Sequence, residues 1–278
     1  MVSAVQPPFA AEARSPGQWA GNYLDEIWAV TSAELTKLRR DPNEIFTRAI
    51  QPALWLLLFG EVMAQVRGLS QNSAIGGHYL DFLAPGILAQ SVLFAAIFYG
   101  IGAIWERDLG VLHRYMVSPA PRSALVLGKA ASSAVRGLAQ AAVVYILSAL
   151  LGISLNLNPL NLLAVAGLIA LGSGLFSTFS LIIACLVKTR ERFMGVGQVL
   201  TMPIFFASNA IYPIEIMPQW LRVVSRANPL SYEVDALRAL MLHGQASRFG
   251  LGLDVLVLVV VFAVMVAIAT RLYPRLTQ

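Results

Sequence analysis

Few side chains in this sequence could make or break a bond. Gly172 to Ser177 reads GSGLFS, and Ser173 or Ser177 would be a nucleophile if a base stood within hydrogen-bond reach. The apolar stretches expected to hold such serines carry no His or Lys, so small residues at this spacing read as close helix packing. His78, His113 and His243 fall in three different loops, with His113 expected on the side opposite the other two, and read as surface histidines rather than a metal site. The one cysteine, Cys185, excludes an internal disulfide and a cysteine-based zinc site. Gly128-Lys129 lacks both the upstream glycine and the following hydroxyl residue of a phosphate-cradling loop. The expectation is a chain without catalytic residues, metal or cofactor of its own, and not an enzyme.

What remains is a place to grip. ERDLGVLHRYMVSPAPR, residues 106–122, is compact, charged and amphipathic, between two stretches almost free of charge. Val111, Leu112, Tyr115 and Met116 form one apolar face of a short helix, with Glu106, Arg107, Asp108, His113 and Arg114 around the rest. Pro119 and Pro121 end it. Two readings fit: a loop helix resting on lipid headgroups, or a docking helix that enters a groove on a partner.

The elements that position it follow from composition. Of 278 residues 57% are hydrophobic and only 13% charged, with mean hydropathy +0.68. A soluble domain carries about 25% charged residues, so the bilayer is the expected solvent. The net charge of +5 then reflects the excess of Lys and Arg on the cytoplasmic side of a membrane, not nucleic-acid binding. Residues 82–105 hold 24 positions without an acidic or basic side chain, and 193–214 hold 22. Residues 137–187 hold 51, too many for one crossing, and NLNPLN at 156–161 breaks them into two. The reading is an all-α polytopic membrane protein with six spans, about 45–66, 82–105, 132–155, 162–187, 193–213 and 250–271. The first contains Arg48 and Glu61, both placed toward its ends, and Asp254 is expected near the outer surface like Glu61.

With both termini in the cytoplasm, the inside segments hold fifteen Lys and Arg and the outside segments five. That asymmetry sets the orientation. Residues 1–20 read as a flexible cytoplasmic tail without the apolar core of a signal peptide, and 21–278 as one transmembrane domain. Leu24, Ile27, Trp28, Thr31, Leu35 and Leu38 recur at helical spacing and predict an amphipathic helix in the inner interface. Outside, Pro218 to Arg226 and a helix beginning at Ser231, with Glu233 and Asp235 in its first turn and Gly244 as its stop, read as a re-entrant pair. Leu230, Val234, Leu237, Leu240 and Met241 form the apolar stripe of the second.

The arrangement resembles the permease subunit of type-2 ABC exporters, similar to daunorubicin-resistance, lipo-oligosaccharide and polysaccharide export permeases. YLDFLAPGIL (79–88), WERDLGVLHRYMVSPAPRSALVLGK (105–129) and FFASNAIYPIEIMPQWLRVVSRANPLSYEVDALRALML (205–242) carry the likeness, which covers the chain from about residue 40. The resemblance implies export across the cell (inner) membrane. It implies a separate ATPase subunit, holding ATP and Mg, docked through Glu106, Arg107, Asp108, Val111, Leu112, Arg114, Tyr115 and Met116. It also implies a second permease copy or a sister permease, and an outer pair at 214–244 that gates the exit, with Tyr212, Trp220, Leu237 and Met241 as gate residues.

Gln90, Phe94, Phe98, Gln198 and Asn209 are pathway candidates for an amphiphilic substrate. Buried polar side chains in spans equally serve as interhelical hydrogen bonds, and the aromatics as packing. A polytopic membrane enzyme and a membrane module that binds a partner without transport are the competing readings of the chain.

Overall fold

The computed structural model describes residues 28, 31, 32, 36, 50–64, 79–109, 122–187 and 189–274. The described residues are helical with short connections, and among them no strand is formed beyond an isolated bridge between Leu155 and Leu242. The amphipathic helix expected at 24–38 is represented by four residues, all helical; Thr36 Oγ1 donates to the Ser32 carbonyl (2.8 Å).

In chain order the elements are α1 (Ile50–Gly60), α2 (Tyr79–Asp108), α3 (Arg122–Leu150), α4 (Pro159–Leu186), α5 (Arg190–Phe206), α6 (Gln219–Ala227), α7 (Pro229–Met241) and α8 (Leu251–Leu272). The last turns of α1 are π-helical from Trp55 to Gly60 and run on into Glu61–Ala64. Among the described residues four helices, α2, α3, α4 and α8, are long and apolar enough to cross a membrane. The chain is a multi-pass membrane protein. α1 is shorter and apolar, and α5 has 17 residues.

Several boundaries differ from those expected. α2 starts at Tyr79 rather than 82 and runs through Asp108, so Glu106, Arg107 and Asp108 are its last turn and not the start of a separate helix. α3 begins at Arg122 rather than 132, which brings Lys129 into the membrane-crossing helix that also holds Arg136; the expected span left Lys129 in the loop before it. α5 stops at Phe206 rather than 213. Pro203 denies the helix one donor, and Ser208 Oγ bonds back to the Phe205 carbonyl (2.7 Å), turning the chain at 207–213. The cap of α7 is Asn228, whose side chain accepts from the Leu230 N–H (3.0 Å) ahead of Pro229. Ser231 sits inside that helix, and its hydroxyl meets Ser225 (3.1 Å).

α4 is the hub. It packs on α2, α3, α7 and α8, and most of its length is buried. α8 is the opposite case: Leu253, Leu256, Val260, Val264 and Ile268 face outward, as a lipid-facing rod does. One apolar core runs from Tyr79 and Phe82 through Phe176 to Leu237 and Met241. A smaller core joins Ile104, Leu125, Cys185, Phe193 and Tyr273 at the other end. The first end is called the cap end and the second the strap end.

Candidate functional site

At the strap end the last turn of α2 is fastened on two sides. Glu106 Oε2 accepts from Lys129 Nζ of α3 at 2.5 Å, with both side chains largely buried. Asp108 Oδ2 accepts from Arg190 Nε and Nη2 of α5 at 3.1 and 2.8 Å, and the same guanidinium lies 3.9 Å over the Trp105 ring. Arg107 reaches the other oxygen of Asp108 at 3.1 Å. Behind the buried pair, the Ser132 hydroxyl donates to the Lys129 carbonyl (2.9 Å). Its only hydrogen is thereby used, so the Tyr99 hydroxyl is the donor in their 2.6 Å contact. Lys129 and Arg136 both lie over the Tyr99 ring, at 5.9 and 5.0 Å. The segment that leaves this turn therefore departs from an element tied to both α3 and α5. A push on it is a push on three helices.

Of the residues expected to dock a partner, Glu106, Arg107 and Asp108 are in this turn; Val111, Leu112, Arg114, Tyr115 and Met116 lie outside the described residues. Beside it, the end of α4 and the start of α5 frame an open groove of about 650 Å³, lined by Leu186, Val187, Val196, Val199 and Leu200 with Arg192 at its edge.

At the cap end the irregular chain between α5 and α8 is captured by buried polar groups. Arg238 of α7 donates to the carbonyls of Asn209 (3.0 Å) and Phe82 (3.3 Å), its guanidinium 3.9 Å over the Phe82 ring. Burial pulls the Arg238 pKa down to about 10, so it stays charged at neutral pH. The Tyr79 hydroxyl donates to the Ile211 carbonyl (2.9 Å), and Asn228 Nδ2 to the Ile204 carbonyl (2.6 Å). Gly86 of α2 touches the 207–213 turn so closely that a Cβ there would overlap the Ala210 carbonyl. Asp235 Oδ2 accepts from the backbone N–H groups of Arg248 (2.7 Å) and Phe249 (3.0 Å), fixing the approach to α8. Asp254, in the first turn of α8 at this same end, is fully buried and faces Ser247 Oγ at 2.7 Å. Glu215 pairs with Arg248 at the rim.

The pathway candidates are not gathered into one buried site. Gln90 and Asn209 are buried, the latter with both amide atoms unpartnered, whereas Phe94 is half-buried and Phe98 and Gln198 are exposed. The gate candidates divide too. Leu237 and Met241 are core, Tyr212 is half-buried with its hydroxyl on the Phe206 carbonyl, and Trp220 is 69% exposed. Ser177 Oγ donates to the Gly174 carbonyl (3.1 Å), and Ser173 Oγ meets no base among the described residues. Among the described residues no His, Cys, Asp and Glu cluster could hold a metal.

Sequence reasoning gave no site role to Tyr79, Gly86, Lys129, Arg190, Glu233 or Arg238, although it placed Glu233 in the first turn of its helix. A signal existed for two of them. Glu233 and Arg238 fall on the Leu230, Val234, Leu237, Met241 stripe of α7, and an ionisable group on an apolar stripe calls for a buried partner or a proton.

The sequence pattern described as ABC-2 type transporter matches residues 25–242. A chain named as a transport permease, ycf38, of Cyanophora paradoxa is 29% identical over 222 residues, covering 80% of this chain and 76% of its own length. The daunorubicin resistance ABC transporter permease protein DrrB1 of Streptomyces coeruleorubidus is 27% identical over 251 residues, 90% of this chain and 85% of its own. Nodulation protein J of Rhizobium leguminosarum bv. viciae is 25% identical over 253 residues, 90% and 91%.

Proposed function

The chain belongs to the ABC-2 type transporter family as a membrane permease subunit, and from that premise we propose that it exports a drug-like or lipid-linked amphiphile, driven by a separate ATPase. The ATPase carries ATP and Mg and docks on residues 106–116. The observation that carries this reading is the double fastening of the turn at 106–108, to Lys129 of α3 and to Arg190 of α5. ATP-driven closure of the partner moves the docked segment, and the two ion pairs pass that motion into the bundle.

In this reading the strap end is cytoplasmic and the cap end outside, as the Lys and Arg distribution asks, in the cell (inner) membrane. Both termini are then cytoplasmic. α1 and α5 complete six spans. The exposed apolar face of α5, Met194, Val199, Met202 and Phe206, is where a second copy or a sister permease packs. The groove beside Arg192 has the volume of a small-molecule site and opens toward the inner leaflet, where an amphiphile partitions. α6 and α7 seal the exit.

The test is co-purification. Leu112→Asp with Met116→Asp releases the ATPase while the permease elutes unchanged. Retention of the ATPase at the wild-type level removes the docking role. Substrate-stimulated ATP hydrolysis by the reconstituted complex separates an exporter from a module that only binds.

A further inference from the structure

Glu233 is fully buried on α7, and neither of its carboxylate oxygens has a hydrogen-bond partner. Its carboxyl lies on the bare backbone of Gly172 in α4, so close that any Cβ there would overlap it. Among the described residues, the elements packed around α7 offer it no cation. α4 has no Asp, Glu, Lys, Arg or His along its length, and its Cys185 lies at the strap end. The ionisable groups of α8 are Asp254, which faces Ser247, and Arg271 in its last turn. On the near part of α2, Tyr79 is on the Ile211 carbonyl and Asp81 accepts from Ser154, while Glu106, Arg107 and Asp108 are at the strap end. On α6, Arg222 donates to the carbonyls of Glu215 and Met217, and Arg226 is exposed. On α7 itself, Tyr232 donates to the Arg226 carbonyl, Asp235 takes the loop amides, and Arg238 holds Phe82 and Asn209.

A lone carboxylate in such a place is expensive, and it lowers that cost by taking a proton. We propose that Glu233 is a proton-binding site of the cap: it takes up one proton from water as α7 closes on Gly172 of α4, and returns it when that seam opens. One O–H bond forms on a carboxylate oxygen at the expense of a hydronium O–H, and no electrons move. Burial pushes the Glu233 pKa up from 4.5 to about 8, in line with the geometry. The sign follows. Below about pH 4.5 the closed and open seams are both protonated and closure is at its most stable; between about 4.5 and 8 closure takes up a proton and weakens about tenfold per pH unit; above that the contribution is gone. The site holds whatever the chain transports.

The experiment is an infrared pH titration of the full chain in lipid nanodiscs, with wild type, Asp254→Asn and Glu233→Gln compared. A protonated-carboxyl carbonyl band is expected at pH 7 in wild type and in Asp254→Asn, titrating away near pH 8, and absent in Glu233→Gln. Thermal midpoints of wild type fall across this range as pH rises, and Glu233→Gln flattens the slope. A wild type without the band, or a band that survives Glu233→Gln, overturns the proposal. Where Glu233→Gln does not fold, Asp254→Asn decides: persistence of the band supports the site, and its loss overturns it.

Discussion

The two ends of the bundle are held by opposite chemistry. At the cap end, Arg238 and Tyr79 each capture a backbone carbonyl of the 207–213 turn, and Asn228 captures a last-turn carbonyl of α5. At the strap end the ties are between side chains: Glu106 with Lys129, and Asp108 with Arg190. Non-helical backbone within a membrane bundle must have its carbonyls satisfied inside the protein, so the 207–213 turn is held fast to α2 through Tyr79. An ion pair between long side chains can be exchanged for water or a partner's charge at small cost when it is half-exposed, as Asp108–Arg190 is. The turn at the cap end is fastened through its backbone, whereas the strap end is tied through side chains that can exchange partners.

The largest effect separating the ends is expected from Lys129→Met. It leaves Glu106 without its partner and costs about 3–5 kcal/mol. Combining it with Glu106→Gln recovers much of that loss in a double-mutant cycle of thermal unfolding. Arg238→Met follows, at about 3 kcal/mol, because the Phe82 and Asn209 carbonyls lose their donor. High salt sharpens the contrast: it weakens the Asp108–Arg190 tie and leaves the buried Arg238 contacts almost untouched. Gly86→Ala costs about 1–3 kcal/mol by pushing the 207–213 turn off α2. Gly102→Ala, which meets nothing within 4 Å, stays within about 0.5 kcal/mol in the same assay. Arg190→Met is expected to change stability by only about 0–1 kcal/mol and, under the proposed docking, to uncouple ATP hydrolysis by the ATPase from the permease. A large unfolding shift with normal coupling would place the strap with the cap and end the contrast.

Legibility in the sequence followed the period of the pattern. Long uncharged runs located α2, α4 and α8, and NLNPLN located the turn between α3 and α4. Counting charges misplaced the start of α3, because Lys129 and Arg136 enter the helix with partners waiting, on Glu106 and over the Tyr99 ring. The gaps between charges mark where helices can be bare, not where they end. The end of α5 was missed for a related reason: the apolar run continues to Ile214, but Pro203 and the Ser208 side chain turn the chain first. On α7 the stripe was read, with Glu233 as a first-turn acid, but the burial of Glu233 and Arg238 was not, since what they meet is a glycine on another helix and a carbonyl 156 residues away.

The amino-acid order by itself determined that this chain lives in a bilayer, roughly where it crosses, and which segment is left charged between crossings. Those are local properties: a run of apolar side chains prefers hydrocarbon whatever it touches. Only the tertiary structure decided that Glu106 meets Lys129, that Arg238 holds the turn at Asn209, and that Glu233 lies against Gly172 without a cation. Whether a charged or polar group is satisfied depends on what another helix brings to within about 3 Å, and that distance is set by packing.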